Sequence, residues 1–229
     1  MSLFTQSMFF GVTITLFTYF LGVWIKSKLK LAIFNPLLIS IILIILFLAG
    51  SGIDYQVYSD GADYISYLIT PATVCLALPM YDQMEALKKN AAGVVCGILS
   101  GCLTSALCIL ACSLIFQFNH QIYITLLPKS ITTAIGIGLS EEMGGIATVT
   151  VLSIIITGIF GNMIAEGFLK LIRVTDPVAK GIAIGTSAHV MGTAKAMELG
   201  ETEGAMSSLS IAVAGVVTVV VAPLFSMLL

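Results

Sequence analysis

The residues best able to do chemistry in this sequence are three basic side chains set in largely apolar stretches, Lys129, His189 and Lys195. Lys129 follows Pro128. An ammonium within bilayer hydrocarbon costs about 2.5 to 3.5 kcal/mol on insertion scales, which points to an anion contact. Snorkelling from a hairpin mouth to the surface is the other reading. His189 lies eight residues after Gly181. A neutral imidazole there can donate to a substrate oxygen or exchange a proton near neutral pH, or it can satisfy a buried backbone carbonyl. Lys195 is either a further anion contact or a residue of the aqueous mouth. Ser130, Thr132, Thr133, Ser187 and Thr193 are unspecific one by one. Clustered at two expected helix breaks, they and the half-helix N-terminal amides form a cradle for an anion.

Other chemistries find no support in the sequence. No HExxH, G-x-S-x-G, P-loop or complete G-x-G-x-x-G pattern occurs, so neither an enzyme nor a bound cofactor is expected. Cys75, Cys96, Cys102, Cys108 and Cys112 are odd in number and lack metal-ligand spacing; they read as small hydrophobes and no metal site is expected. A net charge of -2 gives no basic excess for a nucleic acid.

The elements that must carry these residues are membrane spans. Hydrophobic residues make up 58% of the chain and charged ones 10%, against roughly 45 to 50% and about 25% in a soluble domain. The opening residues have no positive n-region, so the apolar stretch behind them reads as a retained span. Six stretches suit a span of about 20 apolar residues: 4–24, 31–49, 64–80, 91–116, 146–169 and 204–229. Lys26, Lys28, Lys30, Lys88, Lys89, Lys170, Arg173 and Lys180 mark cytoplasmic loops, whereas the loop with Asp54, Asp60 and Asp63 faces out. Both termini then lie outside.

That path leaves 125–145 and 181–200 unable to cross; each must leave on the side from which it enters, as a re-entrant hairpin or broken helix. Irregular backbone survives at membrane depth only inside protein or beside a wet cavity. Pro128, Gly136 and Gly138 are the expected helix breakers in the first segment, and Gly185 and Gly192, with Gly181, in the second. Pro71 and Pro79 break the third span. Glu141, Glu142, Glu201 and Glu203 are expected in water at hairpin ends.

An offset of 60 aligns Thr133-Ala134, Leu139, Glu141 and Gly144 with Thr193-Ala194, Leu199, Glu201 and Gly204. With the opposite orientation of the two units, this predicts an inverted-topology repeat of the kind that places substrate near the midplane in secondary transporters. The expected fold is thus an all-α polytopic membrane protein of six transmembrane helices and two re-entrant hairpins. It forms one integral membrane domain over 1–229, with a four-span part at 1–117 and repeat units at 118–173 and 178–229. Gly93, Gly97 and Gly101 form a small-xxx-small stripe, available for packing within the monomer or for a homo-oligomer.

The run Pro128-Lys129-Ser130-Ile131-Thr132-Thr133, the pair Gly144-Gly145, and the long stretch from Ala179 through Gly181-Ile182-Ala183-Ile184-Gly185-Thr186-Ser187-Ala188-His189 to Ala196 resemble the LrgB/CidB family. Glu198-Leu199-Gly200-Glu201 and Pro71-Ala72-Thr73-Val74 extend the resemblance over essentially the whole chain. Ala134, Val190 and Lys195 depart from the family pattern; Lys195 stands where Arg is frequent, and a lysine is a point charge without a bidentate fork. The resemblance implies one of two functions in the cytoplasmic membrane. One is transport of a small monocarboxylate such as pyruvate, glycolate or glycerate. The other is an antiholin-like regulator that works with a small LrgA/CidA-like holin-type partner on murein hydrolase activity and lysis. Two polar broken segments in inverted orientation favour transport, because a pore regulator has no need of them.

The sidedness has a direct check. On a background without native cysteines, Asp176→Cys is expected to react with an impermeant thiol reagent from the cytoplasmic side only. Reaction only from outside would overturn the path on which the inverted repeat depends.

Overall fold

A computed structural model describes residues 7, 9–29, 34–75 and 77–229. Lys30 and residues 4–6 and 31–33, which the sequence assigns to a basic loop and to two spans, lie outside the described residues. The described residues are all helix, turn and coil, without a strand. They gather into two compact units, Met1–Cys75 and Leu76–Leu229.

The first unit holds α1 (Phe10–Leu29), α2 (Pro36–Ser51), α3 (Tyr55–Ser66) and α4 (Ile69–Cys75). Asn35 caps α2 by accepting from the Leu37 amide at 2.8 Å, and Asp54 caps α3 by accepting from Gln56 at 2.8 Å. Glycines let backbones touch: a Cβ on Gly11 would strike Ala62 N and Tyr58 O, and one on Gly22 would lie 2.8 Å from Pro36 O. Hydroxyl pairs tie the same helices, Thr15 to Tyr58 and Thr18 to Ser40, both at 2.8 Å.

The second unit continues with α5 (Ala77–Asp82), α6 (Met84–Lys89), α7 (Ala91–Phe116), α8 (His120–Leu126), α9 (Thr133–Glu142), α10 (Ala147–Leu171), α11 (Pro177–Leu199) and α12 (Glu201–Ser226). Among the described residues α1, α7, α10 and α12 are long and apolar enough to cross a bilayer. Apolar α2 has 16 residues, about 24 Å of helix against a hydrocarbon core of about 30 Å. No continuous helix covers the third expected span. The helical run stops at Ser66 and restarts at Ile69, because Pro71 has no amide to donate to Tyr67.

The fourth expected span, α7, belongs to the second unit and packs against α11 and α12. Its glycine stripe explains the attachment in part. A Cβ on Gly97 would lie 3.1 Å from Ile182 Cγ2, and one on Gly101 3.0 Å from Thr186 Oγ1, whereas nothing lies within 4 Å at Gly93. The stripe thus packs within the monomer at Gly97 and Gly101, and Gly93 takes no part because it faces the open cleft that it lines with Ala179.

Both polar segments are interrupted helices. The first breaks through the turn at 127–132, and its arms α8 and α9 return to each other at α10: Thr150 Oγ1 lies 3.0 Å from Thr125 O and 2.7 Å from Ser140 Oγ. The second breaks at Ala188 (φ −130°, ψ 16°) and His189 (φ 40°, ψ −140°). An unbroken helix of 23 residues would run about 34 Å. Instead Lys180 and Leu199, near its two ends, line the same cleft. Its contacts with α12 run forward before the break, with Gly181 on Met206 and Gly185 on Ser210, and backward after it, with Thr193 on Ser207 and Met197 on Gly204. The arms are antiparallel, and α11 is a helical hairpin.

Several expected helix breakers do other work. Gly136 and Gly138 sit inside α9, and Gly185 and Gly192 inside the arms of α11. Gly136 admits Ile154, which a Cβ would meet at 2.6 Å, and Gly192 admits Ala188 at 2.6 Å. Pro128 alone of the named breakers lies in a turn.

The stripe gives a paired expectation. Gly97→Leu, which needs Ile182 to yield, should destabilise the second unit by about 1 to 3 kcal/mol. Gly93→Leu should leave yield and melting temperature unchanged, as measured by size-exclusion chromatography and thermal unfolding in detergent.

Candidate functional site

The turn of the first hairpin presents Lys129 and Ser130 near the middle of α7, where Ser130 Oγ lies 3.1 Å from Ser105 Oγ. Lys129 is half-buried, and its Nζ donates to Ser130 Oγ at 3.1 Å. Among the described residues no carboxylate lies within ion-pair distance of it, although Lys170, Lys180 and Lys195 all have acidic partners. Thr132 precedes α9 without a side-chain bond to the helix, which leaves the first-turn amides, from Thr133 on, without a side-chain cap.

Two clefts lead to Lys129, one on each side of the first arm of α11. One, of about 580 Å³, runs from Gly93 and Ala179 past Ser100, Thr104, Ser105 and Cys108 to Lys129 and Ser130. The other, of about 530 Å³, runs from Ile172 and Phe168 past Ile164 and Phe160 to Thr157 and Lys129. Ala183 and Ser187 line both. The structure therefore brings together Lys129, Ser130 and Ser187, one from the second hairpin and two from the first. The walls differ in chemistry: hydroxyl-rich along α7, apolar along α10.

The remaining candidates stand apart. His189 is 4% exposed, and its Nε2 lies 3.0 Å from the Ile154 carbonyl, which can only accept, so Nε2 carries the hydrogen. The imidazole is committed to backbone and is not among the residues lining either cleft. Its φ of 40° is a glycine-favouring conformation that costs about 1 to 3 kcal/mol. Thr193 faces α12, bonded to His189 O at 3.0 Å and Ser207 Oγ at 2.7 Å. Thr132 and Thr133 are half-buried at the start of α9 and, like Thr193, belong to neither cleft wall. Lys195 lies between Glu166 at 2.8 Å and Glu198 at 3.2 Å and lines neither cleft. Glu203, expected in water, is 7% exposed and pairs with Lys180 at 3.7 Å.

A sequence model of the LrgB-like family matches residues 15–228, nearly the whole chain. The chain belongs to the LrgB-like family. No solved structure matches it. Within this LrgB-like chain, a multi-pass membrane protein, the site also depends on residues that the motif reading passed over. A Cβ on Gly158 would lie 2.6 Å from His189 Cε1, and one on Gly161 would strike Ala188 Cβ. Asn162 Nδ2 donates to Met191 O at 2.7 Å. The signal was present: a polar amide and two glycines three apart in an otherwise apolar span are the residues of a close polar helix contact.

The unpaired ammonium should steer anions along the hydroxyl-lined cleft. On a background with Cys75, Cys96, Cys102 and Cys112 replaced, an anionic methanethiosulfonate should modify Cys108 about 10-fold or more faster than in the Lys129→Gln variant. An uncharged reagent should show no such difference. Equal slowing of both would mean that Lys129 shapes the cleft without setting its potential.

Proposed function

We propose that this LrgB-like protein is a transporter, not an enzyme, which carries a small monocarboxylate such as pyruvate or a glycolate-like 2-hydroxy acid across the cytoplasmic membrane. The observation that carries this reading is Lys129, a cation half-way along the spanning helices that has no carboxylate partner among the described residues and lines two clefts. A carboxylate there meets Lys129 Nζ and the hydroxyls of Ser130 and Ser187. The clefts suit a small anion because serine, threonine and alanine side chains line them beside Lys129.

The reading takes the chain as six spans and two hairpins in an inverted repeat. Correspondences 60 residues apart support it. Thr125 meets Thr150 as Gly185 meets Ser210, and the basic residues Lys129 and His189 hold equivalent places at the two tips. With Lys88, Lys89, Lys170 and Lys180 on the cytoplasmic side, both clefts open toward the cytoplasm. A small LrgA/CidA-like membrane protein is a proposed partner, and its presence is an arm of the test.

Purified protein in proteoliposomes should take up labelled pyruvate above empty vesicles. Charge-assisted hydrogen bonds are worth about 1.5 to 3 kcal/mol, so Lys129→Ala should weaken binding roughly 10- to 150-fold. Lys195→Ala should leave affinity within about 2-fold, since its partners are Glu166 and Glu198. Folded protein without carboxylate flux, alone and with the holin-like partner, would sink the transport reading and leave a regulator of that partner.

A further inference from the structure

We propose that His189 is a positioning residue, the latch that holds the second hairpin closed on α10, and that transport requires this latch to release while Lys129 takes the equivalent bond in the first hairpin. The inference rests on the transport reading and on the asymmetry between the two hairpin tips. The His189 imidazole is seated on the Ile154 carbonyl in a space that only a glycine at 158 leaves open, and its backbone is held at positive φ. Asn162 clasps the next turn through Met191 O.

Sixty residues away from each member of this latch stand its counterparts. Ile154 corresponds to Ala214, Gly158 to Thr218, His189 to Lys129 and Met191 to Ile131. Ala214, Thr218, Ile131 and Ser130 line one small cavity of about 10 Å³ beside the first hairpin's turn. There the Ala214 carbonyl has a thiol, Cys102 Sγ, at 4.0 Å, a weak donor at long range, in place of the basic side chain that its counterpart Ile154 receives. One tip is latched and the other is not.

The free tip is the one that offers its cation to the two clefts. With the second hairpin latched, Ser187 and Ala183 stay in place as the partition between those clefts. Exchange of the latch from His189–Ile154 to Lys129–Ala214 withdraws the ammonium from this side and frees an imidazole donor for the carboxylate on the other. The substrate then passes from the ammonium at one tip to the imidazole N–H at the other.

The test is a reversible lock in a cysteine-free background. Asn162 Nδ2 reaches Met191 O at 2.7 Å, so Asn162→Cys with Met191→Cys places two thiols across the latch while Gly158 stays open for the imidazole. Oxidation is expected to lower pyruvate flux at least 10-fold while pyruvate affinity stays within about 2-fold, and reduction is expected to restore flux. Full flux through the completed cross-link would overturn the latch. A second measurement does not need flux: with a single cysteine at position 190, Gly158→Ala, which displaces the imidazole, should raise labelling several-fold from the face opposite Lys170. Unchanged labelling in both Gly158→Ala and His189→Gly would overturn the proposal. Altered labelling without pyruvate flux in any variant would leave the latch standing and remove the transport reading.

Discussion

An ammonium group half-way along membrane-spanning helices, with no carboxylate among the described residues to neutralise it, is the constraint around which the second unit is organised. Such a charge is tolerated only where water or polar groups reach it. Two clefts and a turn of hydroxyl residues supply that environment at Lys129. Contrast the basic end of the same unit, where Lys195 and Lys180 are neutralised by Glu166, Glu198 and Glu203. The pairs with Glu166 and Glu203 fasten the arms of α11 to α10 and α12. A carboxylate as close to Lys129 would fasten it too, and would remove the attraction for an anionic substrate.

Holding irregular backbone at that depth requires partners for every freed amide and carbonyl, and the unit finds them in small residues. Thr150 reaches both Thr125 and Ser140; Thr193 reaches Ser207; His189 occupies Ile154 O and Asn162 occupies Met191 O. Glycines at 158, 161, 181 and 185 bring the backbones close enough for those short side chains to bridge. In lipid, where burying a leucine against another helix gains little over leaving it in acyl chains, such close packing and hydrogen bonding carry the association. The hairpins are therefore held by many modest contacts, and by one strained residue at the tip of the second.

Much of this arrangement was legible in the residues. The charge placement required both polar segments to return to the side they came from, and the arms of α11 do reverse. The sequence motifs also led to Lys129, Ser130 and Ser187, which share the cleft wall. Other roles were not legible, for physical reasons. A glycine breaks a helix or admits a neighbour depending on what stands opposite, so Gly136, Gly138, Gly185 and Gly192 read as breaks although they are packing positions. Lys195 and Thr193 belong to the same motif as Ser187, but helical phase turns Thr193 toward Ser207 and carries Lys195 to the far end of its arm. His189 read as a substrate or proton residue ahead of a donor to a buried carbonyl, and the Ile154 carbonyl that its Nε2 meets at 3.0 Å could not be placed from the sequence.

The central claim is that Lys129 Nζ contacts the substrate carboxylate, and a distance measurement addresses it without relying on transport. Protein labelled with ¹⁵N at lysine side chains, reconstituted in lipid with pyruvate carrying ¹³C at its carboxyl carbon, should show dipolar dephasing for an N–C separation of about 3.5 Å. The account requires that this dephasing persist in Lys195→Gln and vanish in Lys129→Gln. Dephasing that survives the loss of Lys129, or its absence in folded wild-type protein at saturating pyruvate, would contradict it.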